Sequence, residues 1–251
     1  MQAQRSTQPP SALEAGLSHQ SDKQALVDWV FSRVANRYDL GNDIMSAGFH
    51  TRWKKRLVAY ADLKPGMRVL DIACGTGDVT WMVAAEVPGG EVIGTDINPD
   101  MMRPAAAKRP AICDAEVRFV QADAGRLPFE DASFDRITCG YAGRGFPDWP
   151  AVLGESFRVL KPGGHFWNLD FARPPLSWWD AVYRGYMTVS GAMLGTVLHG
   201  DPRTYIYIPA SMKHYPGQRW LEEQMREVGF ETELIETMAC LMAYNHGIRP
   251  A

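Results

Sequence analysis

RVLDIACGTGD, residues Arg68 to Asp78, is the stretch on which the reading of this chain turns. Val69, Leu70 and Ile72 make the short apolar run expected of a strand buried on both faces. Asp71 interrupts that run, and Gly75 and Gly77 follow, where the lack of a side chain lets the backbone turn sharply and a ligand come close. Val79 to Val87 is apolar enough for a helix, so the glycines fall between a strand and a helix N-terminus. By itself such a turn is ordinary, and the acid could be incidental. A second apolar run, EVIGTD from Glu91 to Asp96, also ends in an acid, and that pairing changes the odds.

Two acids at successive strand ends around a glycine turn suit a ligand with an amine and a ribose diol. They do not suit a dinucleotide, whose GxGxxG turn seats a pyrophosphate on the helix N-terminus. Val79 and Thr80 stand where the third glycine belongs, and Asp78 would repel a phosphate. Asp96 is placed to accept both ribose hydroxyls. With these residues, the pattern resembles the first motif of the class I S-adenosylmethionine-dependent methyltransferases. The resemblance implies S-adenosyl-L-methionine as cofactor. The residues expected to hold it are Asp71, Ala73, Gly75, Thr76, Gly77, Asp96, Ile97, Met101, Asp123, Ala124 and Gly140. Met101 would supply a thioether beside the adenine, and Asp123 would reach its amino group.

The 251 residues allow one large domain or two small ones, and 46% hydrophobic with 11% aromatic residues suffices for a substantial core. With 26 basic against 29 acidic residues the net charge is −3, which argues against nucleic-acid binding through a basic face. Cys74, Cys113, Cys139 and Cys240 are far apart, without a CxxC or histidines at zinc spacing, so neither a metal nor a disulfide framework is expected. A reducing cytoplasm is the expected compartment. No signal peptide opens the sequence and no apolar run approaches the ~20 residues of a membrane span.

Residues 1–20 are rich in Gln, Ser, Ala and Pro and predict a disordered tail, with 21–251 as a single domain. Leu26, Trp29, Val30, Val34 and Tyr38 recur at helical spacing ahead of the core. The following Tyr38–Leu57 segment reads, on composition alone, as capped helices with a solvated basic face. Strands are expected at Arg68–Ile72, Val92–Asp96, Val117–Val120, Arg136–Gly140 and His165–Asp170, with helices between them. LKPGG (Leu160 to Gly164) reads as a tight turn into the fifth strand. Helices over Trp220–Val228, capped by Gly229, and strands over Phe230–Thr237 and Cys240–Asn245 close the chain. The alternation predicts an α/β fold, a Rossmann-like, open, mostly parallel seven-stranded sheet with N-terminal helices. Between 176 and 217 lies a long aromatic stretch with few charges, read as a helical insertion or lid after strand five; Gly191 and Gly195 suggest a break or hinge in it.

Several segments outside the glycine turn narrow the resemblance. VFSRVANRYDLGNDIMSAGFHTRWKK (Val30 to Lys55) resembles the N-terminal signature of the ubiquinone/menaquinone biosynthesis C-methyltransferases. QADAGRLPFEDASFD (Gln121 to Asp135), FRVLKPGG (Phe157 to Gly164), LDFARP (Leu169 to Pro174) and TYIYIPASMKHYPGQ (Thr204 to Gln218) are similar to that family too. Gly140, Gly145, Thr51 and Ala210 stand where the family carries Ser, Asn, Arg and Glu, and Ala142-Gly143-Arg144-Gly145 replaces its G-L-R-N. These departures lie toward the expected acceptor.

The resemblance implies C-methylation of a prenylated hydroquinone, of demethylmenaquinol or ubiquinone-precursor type. Arg144, Tyr141, Tyr38 and His50 are the expected catalytic groups, with Asp43 also near the acceptor. The expected partner is a small aromatic or quinol substrate with a lipophilic tail, and no nucleic acid. The reading leaves open a peripheral membrane contact and a homodimer. Two rivals stand beside it: C- or O-methylation of another small aromatic metabolite, and a catalytically silent quinone- or lipid-binding subunit. Intact Asp71, Gly75, Gly77 and Asp96 count against the second.

Overall fold

The structure is a computed structural model that describes residues 20–251; the expected tail lies, up to residue 19, outside the described residues. Seven strands form one sheet: β1 (Arg68–Ile72), β2 (Glu91–Asp96), β3 (Glu116–Gln121), β4 (Phe134–Gly140), β5 (Leu160–Phe171), β6 (Glu231–Thr237) and β7 (Met242–Ile248). Their order is β3-β2-β1-β4-β5-β7-β6. The first five run parallel, and β7 is antiparallel to both β5 and β6. Val69 and Leu70 of β1, wholly buried as their apolar run requires, pair with Val92 and Ile93 on one side and Arg136 and Ile137 on the other.

Each face of the sheet has its own core. On one, Leu70, Ile137 and Phe166 meet Trp149, Val152 and Leu153 of α6 (Trp149–Val159) and Leu221 and Met225 of α9 (Gln218–Val228). On the other, Val69, Val92 and Leu169 meet Leu57 of α3 (Phe49–Tyr60) and Val83 of α4 (Asp78–Glu86). Gly229, at φ +113°, caps α9 as its position predicts. The LKPGG turn is absorbed into β5. Leu160 pairs with Phe134 and His165 with Arg136, so the Pro-Gly-Gly piece is a bulge inside the strand rather than a turn before it. Cys240, expected in a strand, instead sits in the β6–β7 turn at φ +62°, behind Met238 and Ala239, which are also left-handed.

The N-terminal α1 (Gln20–Val34) and α2 (Tyr38–Ser46) lead through Ala47 and Gly48 into α3. This segment does not present its basic side wholly to solvent. Lys54 is 6% exposed. Its Nζ donates to Asp78 Oδ2 at 2.7 Å, and Lys108 Nζ bridges Asp78 Oδ1 (2.6 Å) and Asp39 Oδ2 (2.5 Å). Burial alone would raise the Asp78 carboxyl, but the two lysines outweigh it and hold the pKa below the usual range. Thr76 Oγ1 donates to Asp39 Oδ1 at 2.7 Å, so α2 is tied directly to the glycine turn.

The 176–217 stretch forms α7 (Ser177–His199) and α8 (Arg203–His214). α7 runs unbroken through Gly191 and Gly195, which are not a hinge. A Cβ at Gly195 would lie 2.7 Å from Asp201 O and 2.8 Å from Thr204 Oγ1, and one at Gly191 3.2 Å from Tyr205 O. Both glycines let α8 pack closely, and the chain reverses at Gly200, φ +68°.

β5 and β7 also bring His165 Nδ1 to 3.1 Å from His246 Nε2, with the His246 ring stacked on Trp167. Burial, then the charge of Arg136, pushes His165 down to about 4; Lys64 adds to this and Asp62 opposes it. Burial also lowers His246 against the pull of Glu233. Because these folded pKa values lie below the ordinary ~6.5, their stabilising contribution is complete above that pH. It is lost as the pH falls toward about 4. Asp71, pushed up to about 6 by burial, titrates nearby with the opposite sign. The difference between proteins is therefore the measurement: wild type should lose more melting temperature between pH 6.5 and 4.5 than His165→Phe. Parallel curves would contradict the assignment.

Candidate active site

The carboxyl ends of β1, β2, β3 and β4 meet at one edge of the sheet, where open α/β sheets bind ligands. Ala73, Gly75 and Gly77 are all left-handed there, at φ +51°, +53° and +78°. Gly75 N–H donates to Asp96 Oδ2 at 2.9 Å and Asn98 N–H to Asp96 Oδ1 at 2.8 Å. The Asp96 carboxylate thus fixes two turns and keeps a lone pair on each oxygen for a ligand hydroxyl. Burial raises its pKa against those backbone bonds.

A cavity at this edge is lined by Ala73, Gly75, Asp96, Ile97, Met101, Asp123, Ala124 and Gly140 from the expected cofactor set. Asp71, Thr76 and Gly77 are not on its wall. Asp71 is buried beneath the turn, accepting from Thr80 Oγ1 at 2.6 Å and Thr138 Oγ1 at 2.7 Å. It anchors α4 and β4 under the glycines. Thr76 is turned away to Asp39, and a Cβ at Gly77 would lie 2.7 Å from Ala105 Cβ, so that glycine serves the packing of α5 (Pro99–Ala107). Sequence reasoning missed Asn98, the Phe146-Pro147-Asp148 wall, and Val27 and Phe31 of α1. Asn98 Nδ2 donates to Ser32 Oγ at 2.9 Å, which holds α1 over the edge. The four-residue spacing of Val27 and Phe31 marks one helical face, but nothing in the sequence says what that face covers.

A second, mostly apolar cavity lies between α2, α3, α7 and α8, with Met45, Phe49, Trp53, Tyr183, Met187 and Ile208 on its walls. Phe31, Tyr38, Tyr141, Arg144 and Tyr207 belong to both cavities and form their junction. His50 lines the second cavity, while Asp43, outside it, stands 3.6 Å from His50 Nδ1 with its side chain more than half exposed. His50 Nδ1 lies 3.0 Å from Ser46 Oγ. Burial, then Lys54, lowers the His50 pKa, so the ring is neutral at pH 7.

Arg144 sits in the single turn Gly143–Gly145 after β4, its guanidinium 4.5 Å above the Phe171 ring. It forms an ion pair with Asp170, and its backbone N–H donates to Asp170 Oδ2 at 3.0 Å. Nε donates to Ser211 Oγ at 3.3 Å. Asp170 and Ser211, inside LDFARP and TYIYIPASMKHYPGQ, were not foreseen as its partners. Tyr141, at φ +64°, is held by its N–H bond to Leu169 O at 2.7 Å. Among the described residues, no group of three His, Cys, Asp or Glu side chains could hold a metal ion.

Solved structures share this architecture. A SAM-dependent methyltransferase from Aquifex aeolicus aligns with a TM-score of 0.56 at 16% identity, covering 78% of this chain and 89% of its own. One from Methanosarcina mazei gives 0.54 at 21% identity, covering 77% and 97%. The chain is 39% identical over 222 residues to the demethylmenaquinone methyltransferase of Thermus thermophilus, covering 88% of this chain and all of that protein. It is 39% identical over 219 residues to the ubiquinone/menaquinone biosynthesis C-methyltransferase UbiE of Brucella canis, covering 84% and 80%. Residues 18–248 match the profile of the ubiE/COQ5 methyltransferase family. A glycine turn pinned to Asp96, an apolar second cavity and this match over nearly the whole chain agree: the protein is an S-adenosylmethionine-dependent methyltransferase and belongs to the ubiE/COQ5 methyltransferase family.

Proposed function

We propose that the protein methylates a ring carbon of a prenylated hydroquinone, of demethylmenaquinol or ubiquinone-precursor type. The observation that carries this reading is the junction: a cavity with the features of a nucleoside site shares Tyr38, Tyr141 and Arg144 with one whose walls are mostly apolar. S-adenosylmethionine supplies a methyl group on a sulfonium centre when bound. The residues fit it, because Asp96 keeps spare lone pairs, Gly75 presents no side chain and Met101 offers a thioether.

The protein's remaining task is to place the acceptor and raise its nucleophilicity. Orienting two reactants can contribute roughly 7–11 kcal/mol. A phenol of pKa about 10 costs roughly 4 kcal/mol to ionise at neutral pH. In this reading the Arg144 guanidinium, which pairs with Asp170, stabilises the developing phenolate. Arg144 itself keeps its proton. Of the four expected catalytic groups, neutral His50 is the one suited to receiving the acceptor's proton. Expression in a host lacking its own quinone C-methyltransferase tests the reading: mass spectrometry should show demethylated quinones replaced by methylated ones. Persistence of the demethylated forms, with S-adenosylmethionine still bound by the purified protein, would favour another acceptor.

A lipophilic tail also implies a place of encounter. Among the described residues no helix is long and apolar enough to cross a membrane. Yet Trp178, Val182, Tyr186, Val189, Met193 and Val197, spaced three or four apart on α7, are 56–78% exposed. The same helix sends Tyr183 and Met187 into the acceptor cavity. α3, which also lines that cavity, carries exposed Arg52, Lys55 and Arg56. We read this as a surface that rests on an anionic bilayer and admits the tail, with α7 and α8 as the cover. Full burial of one such side chain contributes roughly 1.5–3 kcal/mol. Val189→Asp with Met193→Asp should therefore weaken co-sedimentation with phosphatidylglycerol vesicles at least about tenfold. Turnover of a tail-free acceptor should hold. Unchanged vesicle binding would remove the surface from the account.

A further inference from the structure

Tyr207 of α8 belongs to none of the expected sites. Its ring is 3% exposed and packs edge-on against Phe31 with centroids 5.9 Å apart. Its hydroxyl is buried without a hydrogen-bond partner, on a side chain that lines both cavities. Leaving a buried hydroxyl unpaired is costly, and a phenylalanine would fill the same space without that cost.

The unpartnered hydroxyl of Tyr141, also at the junction, belongs to an expected catalytic group; two others nearby, on Tyr205 and Tyr215, differ. Tyr205 is shut against α2, where a Cβ at Gly41 would lie 1.6 Å from its oxygen, so it serves packing. Tyr215 lies in the core beneath α9, on neither cavity. Beside Tyr207, in contrast, Gly145 leaves room: a Cβ there would lie at ordinary contact distances, 3.6 Å from the hydroxyl and 3.9 Å from the Val27 methyls. Burial, eased by Arg144, pushes the Tyr207 pKa up to about 12, so the phenol keeps its proton at neutral pH and acts as a donor.

Resting on the reading that this cavity takes a phenolic acceptor, we propose that the Tyr207 hydroxyl donates a hydrogen bond to the acceptor's ring oxygen. It then stands with Arg144 as a second stabiliser of the charge that develops there. Tyr207 transfers no proton. The bond strengthens as the oxygen becomes anionic, so its loss appears in turnover rather than in cofactor binding.

Tyr207→Phe should therefore lower turnover of the prenylated hydroquinone by roughly a hundredfold, the scale of one oxyanion donor. S-adenosylmethionine affinity should stay within about twofold and the melting temperature should stay equal or rise, because only an unpaired hydroxyl is lost. Turnover within about threefold of wild type would overturn the proposal, as would a lower melting temperature accompanied by lost cofactor binding. A binding comparison judges it separately, using protein loaded with S-adenosylhomocysteine. Wild type should prefer 1,4-naphthalenediol to naphthalene, and Tyr207→Phe should lose most of that preference. Equal preference in both proteins would overturn the role. Should wild type transfer no methyl to the hydroquinone, the functional reading fails, while the diol comparison still decides on Tyr207.

Discussion

Arg144→Ala is expected both to destabilise the protein and to reduce turnover by at least about a hundredfold, the loss typical of one transition-state charge partner. Arg144 and Asp170 are paired side chains only 7% and 3% exposed. Removing one member leaves a buried carboxylate uncompensated, which costs about 3–5 kcal/mol. That cost could pass for a catalytic effect if activity alone were measured. The double variant Arg144→Gln with Asp170→Asn separates the two. It removes both charges together, so it should regain much of the lost melting temperature while turnover stays low. Cofactor affinity should change little throughout, since the guanidinium is held toward Phe171 and Ser211 rather than the glycine turn. Turnover that recovers in step with stability would make Arg144 a structural residue only.

Asp96→Ala should weaken S-adenosylmethionine binding by about 2–4 kcal/mol, through lost charged hydrogen bonds to the ligand and through loosened turns. The turns matter because the carboxylate is the acceptor for both Gly75 N–H and Asn98 N–H. Titration with S-adenosylhomocysteine identifies the contact. A ribose contact is common to both ligands and predicts equal losses, whereas a loss confined to the sulfonium form would move Asp96 to the charged end. Unchanged affinity in a folded variant would remove Asp96 from the site.

What could be read in the sequence follows from the range of the interactions concerned. β1 and β2 show as apolar runs because each is buried on both faces, and Gly229 shows as a helix stop because its cap is local. The destination of a side chain is a different matter. Asp71 looked like a ligand-facing acid, yet its partners are Thr80 and Thr138, brought together by the crossover of the sheet. Gly191 and Gly195 looked like flexible points because a hinge and a close helix contact call for the same residue; only the position of α8 distinguishes them. Lys54 looked solvated because its partner Asp78 belongs to the glycine motif, 24 residues on. Tyr207 was one aromatic among many in the 176–217 insertion, and an unpartnered hydroxyl on a side chain that lines both cavities sets it apart from Tyr205 and Tyr215.

The most direct test of the central claim is a single incubation of the protein with methyl-labelled S-adenosylmethionine and a reduced, prenylated demethylquinol. Carbon NMR of the product should place the label on an aromatic ring carbon, and oxidation should then convert that product to a methylated quinone with the label retained. A label on oxygen, in an ether that no longer oxidises to the quinone, or no transfer to the quinol at all, would contradict it.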